Sequence, residues 1–324
     1  MCWHPEIYQE CAAERRSCSV NDITKNLLEI VSDWNGDFKG AYNIRENGMC
    51  AGRQSSEHIK IENKTDKPGM DINILPGTKG ESVSIPACVT HGDIDDLVYN
   101  DFYVGEDADV TIVAGCGVHT ETGEPARHNG IHRFFLKRGA HVKYIEKHIG
   151  TGKGAGIRTI DPVTEVYLDE NAVMEMDTAQ IGGVDHTKRI TKAKAAAGAK
   201  LLVRERILTE KEQSAETEFE VELNGDDSGA DIVSRSVARD SSHQEYTSTI
   251  IGNAACSGHS ECDAIIDGTA TVDAAPKLCA HHADAALIHE AAIGKIAGEQ
   301  ILKLRTLGLT EQEAEAKIIE GFLS

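Results

Sequence analysis

Asp107-Ala108-Asp109-Val110-Thr111-Ile112, Gly139-Ala140-His141-Val142-Lys143-Tyr144, Asn171-Ala172-Val173-Met174-Glu175-Met176, Gly198-Ala199-Lys200-Leu201-Leu202-Val203 and Gly229-Ala230-Asp231-Ile232-Val233-Ser234 repeat one theme. A small or acidic residue, an alanine and then apolar side chains in near-alternation read as a turn followed by a strand. The five alanines stand 32, 32, 27 and 31 residues apart. Near-constant spacing of a turn-plus-strand unit predicts a β-solenoid, in which each coil buries its face against its neighbours. The small alanine fits a corner where strands of successive coils come close. A sandwich of many short strands carries the same local pattern and stays open as an alternative at this point.

Outward from this core the pattern changes twice. Upstream, Ile59 and Ile61, Ile72 and Ile74, and Val83 and Ile85 alternate with polar residues, divided by Pro68-Gly69 and Pro76-Gly77, which predicts further strands and turns. Before them Ile23, Leu27, Val31 and Trp34 recur at helical spacing behind a cap at Asn21 or Asp22. Downstream, Ile293, Ala297, Ile301 and Leu304 form one apolar stripe, and Gly308 suits a left-handed helix end. Thr310-Glu311-Gln312-Glu313 then reads as a capping box before a second helix through Ala314, Ile318 and Phe322. The expected organisation is an N-terminal helical segment over 1–45, a mainly β core over 46–286 and a C-terminal helical domain over 287–324.

Composition narrows the function. With 53 acids against 33 bases the formal charge is −20, which repels phosphate backbones and argues against nucleic acid. No apolar run approaches the ~20 residues of a spanning helix, and the start Met1-Cys2-Trp3-His4-Pro5-Glu6 lacks the pattern of a secretory signal. Nine cysteines without regular spacing read as thiols of a reducing, cytoplasmic compartment rather than a disulfide framework.

Several motifs invite chemistry. Gly150-Thr151-Gly152-Lys153-Gly154-Ala155-Gly156 lacks the spacing of a phosphate-binding loop and reads as a flexible connection between coils. Asp93, Asp95, Asp96, Asp101, Glu106, Asp107 and Asp109 read as a solvated acidic face. Arg127-His128-Asn129-Gly130-Ile131-His132-Arg133 is a basic island centred on a turn-forming Asn-Gly, with an anionic ligand or subunit contact as the other reading. Cys11 and Cys18, with Cys2 upstream, read as buried thiols, a labile metal site being the lesser alternative. No nucleophile–base motif is visible.

The densest chemistry lies at 256–290, which holds Cys256, His259, Glu261, Cys262, Cys279, His281, His282, His289 and Glu290. Thiolate, imidazole and carboxylate together suit iron, zinc or an iron–sulfur cluster rather than Mg²⁺ or Ca²⁺. On an alternating strand Cys256 and Cys262 share one face and His259 takes the other. A site drawn from distant residues or from two subunits is therefore the better reading than a local one.

Gly258-His259-Ser260-Glu261-Cys262-Asp263-Ala264-Ile265-Ile266, Ala286-Leu287-Ile288-His289-Glu290-Ala291-Ala292-Ile293-Gly294-Lys295-Ile296, Leu307-Gly308-Leu309-Thr310-Glu311-Gln312-Glu313-Ala314 and Ile319-Glu320-Gly321-Phe322 resemble, in order, the C-terminal half of the SufB/SufD family. That family scaffolds iron–sulfur cluster assembly, and the resemblance covers roughly residues 70–324, as in a compact SufB-like member. It implies a right-handed parallel β-helix with a C-terminal helical domain, and a non-enzymatic scaffold holding a transient cluster. It also implies a SufC-like ABC-type ATPase docked on the C-terminal helices, a second SufB/SufD-like subunit forming a homodimer, and iron–sulfur acceptor proteins. Carried over residue by residue, Cys262 is the principal thiolate, with Glu290 and His289 as exchangeable ligands. Ile288 departs from the family, where SufB-type chains usually carry another Glu. The competing readings are a solenoid acting on glycans and an interaction or structural solenoid without cluster chemistry.

Overall fold

In a computed structural model that describes residues 20–323, the repeated alanines sit at corners between successive coils. Ala108, Ala140, Ala172 and Ala199 have no exposed surface. The residue after each corner donates its N–H to the corner carbonyl of the coil before, His141 to Ala108, Val173 to Ala140, Lys200 to Ala172 and Gly229 to Ala199, at 2.7–2.9 Å. The preceding residues Asp107, Gly139, Asn171 and Gly198 all have positive φ. Glycine, and short polar side chains next best, tolerate that conformation, which explains the recurring residue before the alanine.

The fifth alanine is off this ladder. Lys200 pairs with Gly229 and Leu201 with Ala230, so the corner passes to Ser228. Cys256 is next, its carbonyl accepting from the Ala286 N–H at 2.9 Å. Asp109, His141, Val173, Lys200, Gly229, Ser257 and Ala286 stand in one register column, giving coils of 32, 32, 27, 29, 28 and 29 residues.

The chain forms a β-solenoid of about eight turns. The coils alternate between an eleven-stranded and a ten-stranded sheet, one strand to each in most coils, with the strand split in two at Lys79–Ser84 and Ala87–Val89 and at Arg158–Ile160 and Val163–Leu168. Among the described residues only two pairs are antiparallel: Ala41–Glu46 with Met49–Gln54, joined through Asn47-Gly48, and Ile59–Asn63 with Gly69–Ile74. α1 (Asp22–Ser32) lies over the first coils with Leu27, Leu28 and Val31 buried, and Asn21 Oδ1 accepts from the Thr24 N–H. The first 19 residues, with Cys2, Cys11 and Cys18, lie outside the described part. Cys88, Cys116, Cys256, Cys262 and Cys279 are free thiols, whereas Cys50 is disulfide-bonded, against the reading of the cysteines as thiols throughout.

At the other end the last two strands, Thr271–Ala280 and Ala286–Gly294, each pair on one side only. Leu278 and Ile293 face the same way as the buried Ile250 and Ala264 of the previous coil, yet they are 37% and 41% exposed. α2 (Gly298–Thr306) and α3 (Glu311–Phe322) follow, the latter with the expected Thr310–Glu313 capping box. Ile293 lies on the last strand and not on a helix, so residues 287–294 complete the solenoid, and the strands begin at Ala41. Its four-residue step to Ala297 fits both periods, because side chains four apart share a face on a strand and on a helix alike.

Three local readings change. The glycine-rich run is a stacked corner: Gly154 and Gly156 donate their N–H groups to the Thr120 and Thr122 carbonyls at 3.0 and 2.9 Å. A Cβ on Gly154 would meet Thr122 O at 2.2 Å, so glycine serves close approach there. The acidic stretch is only partly solvated, and the basic island is its complement on the neighbouring strand Ala126–Leu136. Buried Asp96 bonds Arg45 and His128, and buried Asp101 bonds Lys64 and Arg133. Asn129-Gly130 is mid-strand because those charge pairs fix the register.

Candidate functional site

Strand alternation sorts the candidate residues. On Ser257–Ile266, Gly258, Ser260, Cys262 and Ala264 face the lumen of the solenoid, while His259, Glu261 and Asp263 face outward. The last strand lies beside it in register, His289 against Ser260, Glu290 against Glu261 and Ala291 against Cys262. His289 therefore shares the lumenal face with Cys262, diagonally across the strand pair. Glu290 is on the outer face. The three expected ligands do not converge within one chain, because adjacent residues of a strand point to opposite sides.

Cys262 is 2% exposed. Burial, with the Glu205 and Asp263 carboxyls nearby, pushes its thiol up to about 12, so at neutral pH it carries its proton and any metal must displace it. His289 is half-buried, and its Nδ1 is buried with no hydrogen-bond partner. A polar ring nitrogen left in this way is costly unless something binds it.

A polar seam leads along the lumen to the thiol. Glu146, Thr178, Glu205, Ser234 and Cys262 stand in one row across five strands. Ser234 Oγ donates to Glu205 Oε2 at 2.8 Å. Arg189, from the opposite sheet, pairs with Glu146 and reaches Glu205 Oε1 at 3.2 Å. Burial alone would raise Glu146, but His148 and Arg189 outweigh it and hold the carboxyl well below the usual range. Glu205 shifts the other way: burial raises it, and its partners do not fully compensate. A small cavity lined by Thr217, Ser234, Ser236, Tyr246 and Cys262 lies at the end of the row. Sequence reasoning missed this seam. Its signal, a polar residue at each lumenal position of the row, emerges only once the 27- to 29-residue coils are aligned.

The outer face gathers a second group. Ligand atoms of His259, Glu261 and Glu290 all lie within 4.8 Å of one another. His259 Nδ1 is 2.8 Å from Asp231 Oδ1, and Arg204 donates to Asp231 Oδ2 at 2.6 Å. Partial burial and the adjacent Asp263 carboxyl raise Glu261. Ile288 stands against His259, 55% exposed.

The remaining candidates stand apart from both groups. Cys256 is a buried corner residue of the hydrophobic core. Cys279 is on the other sheet against Ile251. His281 Nδ1 bonds Asn253 Oδ1 of the coil before at 2.9 Å, and His282 Nδ1 accepts locally from the Asp284 N–H at 3.2 Å. Among the described residues no helix is long and apolar enough to cross a membrane.

Comparison with known proteins adds a consistent result. Residues 100–322 match the family model described as "SUF system FeS cluster assembly, SufBD core domain". An iron–sulfur cluster assembly SufBD family protein of Archaeoglobus fulgidus is 28% identical over 276 residues, 84% of this chain and 72% of that protein. One of Methanothermobacter thermautotrophicus (strain Winter) is 28% identical over 261 residues, 79% of this chain but 62% of the relative. The iron–sulfur cluster assembly protein SufB of Bacillus subtilis is 27% identical over 227 residues, 68% of this chain and 47% of the relative. The match thus spans less than two thirds of the Methanothermobacter and Bacillus proteins.

Proposed function

The chain belongs to the SufBD family, and we propose that it is a non-enzymatic scaffold on which iron–sulfur clusters are assembled and from which they are transferred to acceptor proteins. The observation that carries this reading is Cys262, a buried thiol on the lumenal face one strand from the open end, diagonal to a histidine whose Nδ1 has no partner. One thiolate with imidazole and outside donors makes a labile site, whereas an all-thiolate cage would retain its cluster.

The open end favours a second solenoid subunit, here a second copy, as the source of the remaining ligands. Two unpaired strand edges and the exposed core residues Leu278 and Ile293 are a surface that needs covering. Glu290, on the outer face beside Glu261, stands away from its own Cys262. A SufC-like ABC-type ATPase docks on α2 and α3, whose connection and faces leave Leu302 and Leu307 61% and 74% exposed. The setting is cytoplasmic, with neither nucleic acid nor membrane as partner. The second reading, a solenoid without cluster chemistry, is favoured by the exposed edges alone.

The test is anaerobic co-expression with a SufC-type ATPase, followed by iron, sulfide and Mössbauer analysis of the wild type and Cys262→Ala. A cluster present in the wild type and lost in the variant is expected. An unchanged cluster in Cys262→Ala removes the thiol from the site, and no cluster in either protein leaves the interaction-only reading.

A further inference from the structure

We propose that His259, Glu261 and Glu290 form a site for one divalent first-row transition-metal ion on the outer face of the last two strands, separate from the lumenal thiol. Strand geometry builds it. His259 and Glu261 are two apart on one strand and so share a face, and Glu290 is the register partner of Glu261 on the next. Their ligand atoms already lie within 4.8 Å of one another. An ion held at about 2.1 Å from each draws them closer, which the exposed Glu290 can follow by a rotamer change.

The histidine is oriented for this role. An ionised carboxylate only accepts, so at 2.8 Å from Asp231 Oδ1 the His259 Nδ1 carries a proton, and Nε2 is the nitrogen left for an ion. Asp231 is itself held by Arg204 through its other oxygen. A carboxylate behind the distal nitrogen fixes ring and tautomer in histidine-ligated metal sites. The two glutamates are register partners across the strand pair, where like charges cost energy, and Arg235 offsets part of the charge on Glu261.

One nitrogen and two carboxylate groups suit Mn(II), Fe(II) or Zn(II) and not a soft ion that prefers sulfur. Fe(II) is the cellular ion if the cluster-assembly reading holds, and that choice rests on it. The site would then hold iron on the face opposite the thiol. The site itself stands on the geometry.

Mn(II) is the probe. The full chain is titrated while the free-ion EPR signal is followed, and nitrogen modulation of the bound ion reports imidazole. Expected are one bound Mn(II) per chain in the wild type and in Cys262→Ala, and nitrogen modulation lost in His259→Gln but kept in His289→Gln. Asp231→Asn should weaken binding about 10–100-fold, as loss of a histidine's supporting carboxylate does. Ile288→Glu, which adds a carboxylate beside His259, should tighten it. No saturable single site, modulation that survives His259→Gln, or binding lost with Cys262 overturns the proposal. A Mn(II) site in a chain that never holds a cluster sinks the scaffold reading and leaves this one standing. A Cys262-dependent cluster in a chain without the Mn(II) site does the reverse.

Discussion

In the middle coils, Glu146, Arg189 and Glu205 are shut inside the lumen and answer one another's charge. At the C-terminal rim, Cys262 and His289 occupy the same kind of lumenal position, but the thiol keeps its proton and the imidazole Nδ1 lacks a partner. The backbone is the same in both places, a parallel coil whose alternate residues point inward. The difference is the next coil. Where one follows, charged side chains find counter-charges inside the coil, as Glu146 and Glu205 do in Arg189, although single polar atoms of Thr178 and Gln180 still lack partners; where none does, the strand edge stays open to something from outside. The middle is thus closed and the rim open.

The largest effect should separate these two regions. Arg189→Met leaves buried Glu205 without its counter-charge and Glu146 with His148 alone, which should cost about 3–5 kcal/mol. Glu290→Gln, at the exposed rim, should stay within about 0.5 kcal/mol. Urea unfolding of both variants gives the comparison directly. Equal midpoints would mean that the middle network holds nothing the rim does not.

Histidines sharpen the contrast through pH. Burial holds His132 down at about 4, its Nδ1 2.9 Å from the Tyr144 hydroxyl, against about 6.5 in an unfolded chain. The unfolded state therefore takes up the proton first as pH falls. The stability this neutral ring carries is complete above about 6.5 and is lost as pH drops from there towards 4. At pH 5 the loss is about 2 kcal/mol. His132→Gln should remove that share of the difference in urea midpoint between pH 7 and pH 5. A wild-type profile that is flat over this range would break the distinction.

What could be read from the sequence follows the same division. The corner alanines disclose the coil because a small residue next to a positive-φ position marks a turn wherever it occurs. The charges inside the coil do not disclose themselves. Asp96 and Asp101 look like members of a solvated acidic run, and Glu205 in Val203-Arg204-Glu205-Arg206-Ile207 looks like any outward glutamate. A period of two says which side chains share a face, and not which face is the lumen. The fifth alanine, two residues out of register at Ala230, also hid Ser228 and Cys256 as corner residues. At the rim the resemblance supplied Cys262, His289 and Glu290, but only the register of the last two strands divides them between two faces.

Cys256 gives the narrowest test of that division. By sequence it belongs to the dense ligand segment beside Cys262; by register it follows Thr78, four alanines and Ser228 in the corner ladder. Both thiols are buried, and they lie on the same side of one stretch of chain. A corner that accepts alanine in four other coils should accept it here, with only the contacts of one sulfur lost, so Cys256→Ala should cost about 1 kcal/mol. Iron and sulfide content should match the wild type, while Cys262→Ala loses its cluster at little cost in stability. If instead Cys256→Ala folds normally and loses the cluster, the corner thiol is a ligand. The rim site would then extend a coil edge deeper than the register of the last strand places it.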